Sequence, residues 1–349
     1  MAVFNLKKLW KKKPDRLGID LDERSVRVVN LKRVGEDRFE VSACGSIDVS
    51  VKPLSTQDQE RLRAFLKQMG GRLTKAAIKI EDPSLRIRYM NLAKMPDRDL
   101  LEVIRWNFRE HVDCPIEQYR VSYTPIKGWG DSDRISCAAF GVSNQAIKEH
   151  LEIARLLGFH PVSLEPQATA LLAAFDYNLK WQTKHPVVCI SLGEFFTYFT
   201  VMEDGQLIFS RPMPGITLDR LAKNLERDLN VDKQRAYEIM AQYIASSEKK
   251  QPEHAQILST FGSFYSQLVV EIQRSIDAFC ILFETEHVKS IYLCDRGAYC
   301  PGITAHMQES LGIPTEIFDP FACVANEQLD PQVKAFSAIY AVAFGLAIP

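Results

Sequence analysis

Four short segments of this sequence carry residues suited to holding a phosphate chain and a metal. The first is Asp20-Leu21-Asp22-Glu23-Arg24-Ser25-Val26-Arg27. An acid at a strand end can organise a hydrated metal and an attacking water, and Arg27 supplies a cation just downstream. Asp22, however, stands where a glycine would let backbone N–H groups approach phosphate with no Cβ in the way. Two carboxylates, Asp22 and Glu23, would repel a polyphosphate, so an ordinary exposed hairpin turn competes with the phosphate-gripping reading. The second segment, Ser191-Leu192-Gly193-Glu194-Phe195-Phe196-Thr197, offers Gly193 and Thr197 to a phosphate but has Ser191, not an acid, at its strand end, and a plain hairpin competes with that reading. The third, Leu164-Glu165-Pro166-Gln167-Ala168-Thr169-Ala170, sets an acid at a helix start, for metal and water or for the helix dipole. In the fourth, Leu293-Cys294-Asp295-Arg296-Gly297-Ala298, a Gly-Gly pair would let an adenine-ribose pack on the backbone. Asp295 and Arg296 add bulk and charge there, and Arg296 offers base stacking, phosphate binding or a plain surface turn. The candidate nucleotide-binding residues are thus Asp20, Ser25, Arg27, Glu165, Gly193, Thr197 and Gly297, with no catalytic residue and no metal ligand assigned.

The elements that must position these turns follow from hydrophobic period. After Pro14 the pattern is a three-strand antiparallel meander: Leu17–Asp20, then Val26–Leu31, then about Arg38–Val49. A helix over about Thr56–Met69 and a strand over Ala76–Ile80 follow. From about Asp82 to Pro161 the order is β-α-β-β-α, a small α+β module set into the first lobe. After the linker Trp181–Pro186 a second meander opens at Val187, which suggests an internal duplication. A long helix is predicted over about His254–Thr285 from Leu258, Phe261, Tyr265, Leu268, Ile272, Ile276 and Phe279. The chain ends in one apolar helix over Val333–Leu346. Read as units, these are a basic leader 1–15, a lobe I core 16–81, an insertion 82–161, more lobe I core 162–185, lobe II 186–321 and a return to lobe I over 322–349.

Bulk properties narrow the function classes. The 349 residues are 46% hydrophobic and 25% charged, with 43 Lys and Arg against 44 Asp and Glu. A general nucleic-acid binder would carry a basic excess, so nucleic acid is not expected as a partner. The eight cysteines form no C-x-x-C pair and read as reduced core thiols of a cytoplasmic protein. No apolar run reaches the ~18 residues of a membrane span. The leader places Leu6, Leu9 and Trp10 on one helical face among five lysines, either a contact for an anionic membrane surface or a solvated tail.

Taken together, these segments resemble the PilM family of type IV pilus assembly proteins, actin-like and related to the cell-division protein FtsA. The resemblance rests on Gly18-Ile19-Asp20 with Ser25-Val26-Arg27-Val28-Val29, on Leu92-Ala93-Lys94-Met95-Pro96 before a helix ending near Val112-Asp113-Cys114-Pro115, and on Gly193 and Thr197. It continues through Arg274-Ser275-Ile276, Pro301-Gly302, Leu311-Gly312-Ile313-Pro314, Asp319-Pro320-Phe321 and the terminal Ala343-Phe344-Gly345-Leu346-Ala347. It implies an α/β, two-lobed actin-like (ASKHA) fold with an FtsA-like inserted α+β subdomain. It implies a cytoplasmic scaffold, peripheral to the inner membrane, that docks the cytoplasmic N-terminal tail of a PilN-like protein and works beside pilus motor ATPases. It also brings ATP with Mg as a doubtful cofactor, because the chain departs from the family pattern at Asp22, Ser191, Asp295 and Arg296, and at Tyr237 and Met240, where the related pattern sets Glu and Lys near the ribose. Efficient hydrolysis is not expected. The alternatives are an active actin-like ATPase, a sugar-kinase-like enzyme, which needs an Asp base and an intact second loop, or an FtsA-like membrane-tethered filament protein.

Overall fold

The computed structural model describes residues 16–349 apart from 36–37, 52, 71–74, 113, 129–132, 180, 182–184, 246–253, 286 and 326–328. The basic leader lies outside the described residues, and so do residues 182–184 of the linker named above.

Lobe I opens with β1 (Leu17–Leu21), β2 (Ser25–Arg33) and β3 (Phe39–Asp48), an antiparallel meander, followed by α1 (Thr56–Gly70) and β4 (Lys75–Ile80). The chain then leaves for the inserted module: β5 (Arg86–Ala93), α2 (Asp97–Phe108), β6 (Tyr119–Ile126), β7 (Arg134–Ser143) and α3 (Asn144–Leu156). It returns through β8 (His160–Pro166), parallel to β4, and α4 (Gln167–Leu179). The lobe I sheet therefore runs β3-β2-β1-β4-β8. Leu17, Ile19, Val26 and Val28 are buried in it, and a strand covered on both faces reads as an apolar run.

Lobe II repeats this plan with β9 (Val187–Leu192), β10 (Thr197–Glu203), β11 (Gln206–Pro212), β12 (Ser290–Cys294) and β13 (Thr315–Ile317), in the order β11-β10-β9-β12-β13. Each sheet is one antiparallel meander whose first strand also takes a parallel neighbour. Around it lie α5 (Leu218–Leu229), α6 (Lys233–Ala245), the long α7 (His254–Phe283) and α8 (Ile303–Leu311). The Thr217 hydroxyl caps α5 by accepting from Arg220 N–H, and Asn230 ends it in the left-handed conformation. The inserted sheet, β5-β7-β6, buries one face against Leu100, Ile104 and Phe108 of α2. Its other face meets lobe II, where the Tyr89 ring stacks on Phe209 at 5.2 Å and meets Phe283 edge-on at 5.9 Å.

One sequence expectation is corrected. The apolar stretch Val333–Leu346 is not a single helix. It forms α9 (Pro331–Ala335), a 3-10 turn over Ser337–Tyr340 and α10 (Ala341–Ala347). The break is at Phe336, whose backbone (φ −120°, ψ 36°) is not helical and whose ring packs on Tyr299 at 4.9 Å. A periodic apolar pattern records which residues are buried, and a kinked path can bury the same set.

Candidate functional site

The ends of β1 and β4 in lobe I and of β9 and β12 in lobe II converge on the cleft between the lobes. Asp20 closes β1 and Arg27 sits opposite it on β2, its register partner. The Arg27 Nη1 atom lies 2.9 Å from both Asp20 Oδ2 and Asp22 Oδ2. Its Nη2 reaches across to Asp295 Oδ1 at 3.1 Å. Lys79, near the end of β4, sets its ammonium 2.7 Å from Asp20 Oδ1 and also pairs with Asp22 Oδ1. Asp20, Arg27 and Lys79 are only 1%, 2% and 3% exposed. The cluster thus holds two cations and three carboxylates in space where water has little access. Charges so buried persist only when paired and hydrogen-bonded.

The titration shifts follow the pairing. Burial alone would raise the Asp22 carboxyl, but Lys79 and Arg27 outweigh it and hold the pKa down at about 2. Burial would release the protons of Arg27 and Lys79, yet the surrounding carboxylates push both pKa values upward instead. Asp295 moves up, because burial and the nearby Asp22 and Asp20 outweigh Arg27. Beside the cluster, burial raises Glu81 to about 7 against the opposing pull of Lys79 and of the hydrogen bond that Glu81 Oε1 accepts from Tyr198 Oη at 2.5 Å.

The candidate residues from the sequence separate into groups. Asp20 and Arg27 meet in the cluster. Ser25 starts β2 and is buried, its backbone carbonyl accepting from Asp22 N–H at 2.9 Å. Gly193 and Thr197 form the β9–β10 turn, where a Cβ on Gly193 would stand 2.5 Å from Phe196 O and 3.0 Å from Asp295 Oδ2. Gly193 therefore makes room for the Asp295 carboxylate. Ser191 Oγ and Thr197 Oγ1 are buried with no hydrogen-bond partner among the described residues. Glu165 turns toward Arg16 (3.2 Å) and accepts from Ser163 Oγ at 2.7 Å. Gly297 is needed for packing, since a Cβ there would lie 2.2 Å from Leu192 Cγ.

Lys79 of the cluster and Glu81 beside it were not singled out from the sequence. Lys79 sits in a run read only as an apolar strand, and Glu81 two residues on projects toward the same cleft. A charged residue at the end of an otherwise buried strand, Ala76–Ile80, was the available signal.

Asp295 holds an unusual backbone. Its φ of 67° with ψ −176° belongs to a region occupied almost only by glycine, at a cost of about 1–3 kcal/mol for other residues. Its own carboxylate accepts the Arg296 N–H at 2.7 Å. Arg296 in turn pairs with Asp48 of lobe I at 2.6 Å. Outside the cluster the cleft remains open as a cavity of about 490 Å³, with Arg24, Asp48, Ser50, Tyr237, Met240 and Arg296 among its lining. Tyr237 donates to Asp219 at 2.7 Å and underlies the Arg24 guanidinium at 4.8 Å. Among the described residues no group of three or more His, Cys, Asp or Glu is arranged to hold a metal ion, and no helix is long and apolar enough to cross a membrane.

With this geometry in place, comparison with known proteins is informative. Residues 18–349 match the sequence profile of the family described as type IV pilus assembly protein PilM. Among solved structures the chain is similar to one described as a PilM-PilN type IV pilus biogenesis complex. The TM-score is 0.81 at 18% identity, over 97% of this chain and 98% of that one. It is less similar to the ethanolamine utilization protein EutJ from Carboxydothermus hydrogenoformans, with a TM-score of 0.56 at 12% identity over 97% and 90% of the two chains. No curated protein is a significant match by sequence. The two-lobed architecture is the actin-like fold.

Proposed function

The chain belongs to the PilM family and is a type IV pilus assembly component, and within that role we propose that it is a scaffold rather than an ATPase. In this reading it lies on the cytoplasmic side of the inner membrane and docks the N-terminal tail of a PilN-like partner. One observation carries the reading: the position for phosphate and metal is filled by the chain's own charges. Lys79 stands between Asp20 and Asp22, the two carboxylates of this turn that would hold a hydrated metal. Arg27 is spent on three carboxylates, and Asp295 adds a negative side chain where nucleoside and phosphate would pack on backbone. These residues do not fit Mg-ATP. A triphosphate entering here would have to break buried pairs and then face the freed carboxylates.

Adaptor binding needs no catalytic acid. It needs a groove for an extended peptide and pockets for its side chains. A narrow crevice where lobe I, the insertion and the β9–β10 turn meet is lined by Leu21, Val51, Pro83, Ile153 and Phe195 together with the carboxylates of Asp22, Glu23 and Glu81 and the His150 ring, a mixture that suits an apolar side chain flanked by a basic one. The similar structure described as a PilM-PilN complex supports a PilN-like protein as the partner. The test has two arms. Calorimetry with Mg-ATP is expected to give weak or no binding and no turnover; tight binding with hydrolysis would overturn the scaffold reading. An NMR titration with the N-terminal peptide of the PilN-like partner is expected to shift lobe I resonances, and an unperturbed spectrum would remove the docking role.

A further inference from the structure

Among the described residues, four pairs of polar side chains join lobe I to lobe II across the cleft. Arg27 meets Asp295. Arg24 meets Glu194 at 3.1 Å, its guanidinium lying over the rings of Phe195 at 5.4 Å and Tyr237 at 4.8 Å. Asp48 meets Arg296, and Glu81 meets Tyr198. In two-lobed folds that close around a ligand, the closed state is held by contacts that both lobes make to that ligand. Here side chains of the two lobes make the contacts directly.

Of these residues Asp295 alone keeps a backbone that glycine would hold without strain. Glycine at 295 would relax the turn and remove the carboxylate together. What it touches is Arg27, from the opposite lobe, whose other guanidinium nitrogen is fixed by Asp20 and Asp22. The absent side chain of Gly193 leaves the space in which the carboxylate sits. We propose that Asp295 is a built-in latch, its carboxylate acting through Arg27 to hold the two lobes closed with no ligand between them. The proposal rests on the reading of the cleft as one that does not use nucleotide. The surfaces that a partner would meet, on both sides of the cleft, are then presented in a fixed arrangement at all times.

Hydrogen–deuterium exchange on the full chain tests this, read in the turns at 22–25 and 193–196. Their Asp22 and Gly193 amides are hydrogen-bonded to Ser25 O and Phe196 O. In the unsubstituted protein both turns are expected to be equally protected with and without Mg-ATP. In Asp295→Asn and in Asp295→Gly both are expected to exchange about tenfold faster while α7 keeps its protection, as a local opening requires. The glycine variant has a relaxed backbone, so its result decides if the asparagine variant does not fold. Wild-type protection retained in Asp295→Gly would overturn the latch and leave the scaffold reading standing. Turns that become protected only when Mg-ATP is added would overturn both.

Discussion

Arg27 Nη2 lies 3.1 Å from Asp295 Oδ1, joining the second strand of lobe I to the end of the fourth strand of lobe II at the floor of the cleft. The contact makes a thermodynamic prediction of its own. Arg27→Met leaves Asp20, Asp22 and Asp295 facing one another with Lys79 as the remaining cation of the cluster. Removing one partner of a buried ionic group costs on the order of 3–5 kcal/mol. Chemical denaturation should show that loss. The double variant Arg27→Met with Asp295→Asn should be less destabilised than the sum of the two single changes, because the second removes a charge that the first has stranded.

The cluster also sets a pH profile. Asp22 is depressed from 3.8 to about 2, so its stabilising effect is in place above pH 3.8 and is lost as pH falls through about 2. Glu81 is raised from 4.5 to about 7, so the fold favours its proton; relative stability is highest below pH 4.5 and declines as pH rises through about 7. Each effect is on the order of a few kcal/mol. Denaturation midpoints should therefore fall between pH 4.5 and about 7, and Glu81→Gln should flatten that decline. Asp22→Asn should instead flatten the acid limb below pH 4.

Much of this arrangement was legible in the sequence. Both meanders announced themselves through alternating apolar residues and polar turns, and the insertion through its β-α-β-β-α order. The motifs around Gly18 and Gly345 marked two segments that turn out to touch. The chemistry of the cleft was less legible. Asp22 reads as an obstacle to phosphate, but its partner Lys79 lies on the third strand that follows it, beyond β2, β3 and the helix α1. Asp295 registered as a lost glycine, and its role became visible only with Arg27 beside it. A single sequence shows which charges are present. It does not show which of them neutralise each other across a fold, because pairing between distant segments leaves no local period. The broken helix at Phe336 has the same origin, since burial of Val333, Ala338 and Val342 is compatible with more than one backbone path.

The insertion is held to lobe II by Tyr89, stacked on Phe209 and edge-on to Phe283. Truncating such a ring costs on the order of 3 kcal/mol, part of it the ring–ring geometry itself. In Tyr89→Ala the strands β5, β6 and β7 should lose hydrogen-exchange protection relative to the lobe II sheet. Equal loss in both sheets would mean that the insertion and lobe II unfold as one unit.

Glycines at two helices should respond to alanine with opposite signs. In α10 the Gly345 Cα faces α4 so closely that an added Cβ would stand 1.8 Å from Ala170 O and 2.6 Å from Ala170 C. Both are backbone atoms, which cannot rotate aside. At Gly18 on β1 the same construction meets Ala343 O at 1.9 Å, so α10 is wedged between strand and helix by the absence of two side chains. Overpacking of this kind costs about 1–3 kcal/mol or more. In α7, by contrast, a Cβ on Gly262 would meet nothing within 4 Å, and alanine in an open helix interior is favoured by about 1 kcal/mol. Thermal denaturation should therefore show Gly345→Ala melting earlier than the parent chain and Gly262→Ala melting later. A Gly345→Ala protein as stable as the parent would mean that α10 can move away from α4, and the close seating of the chain terminus on lobe I would then have to be abandoned.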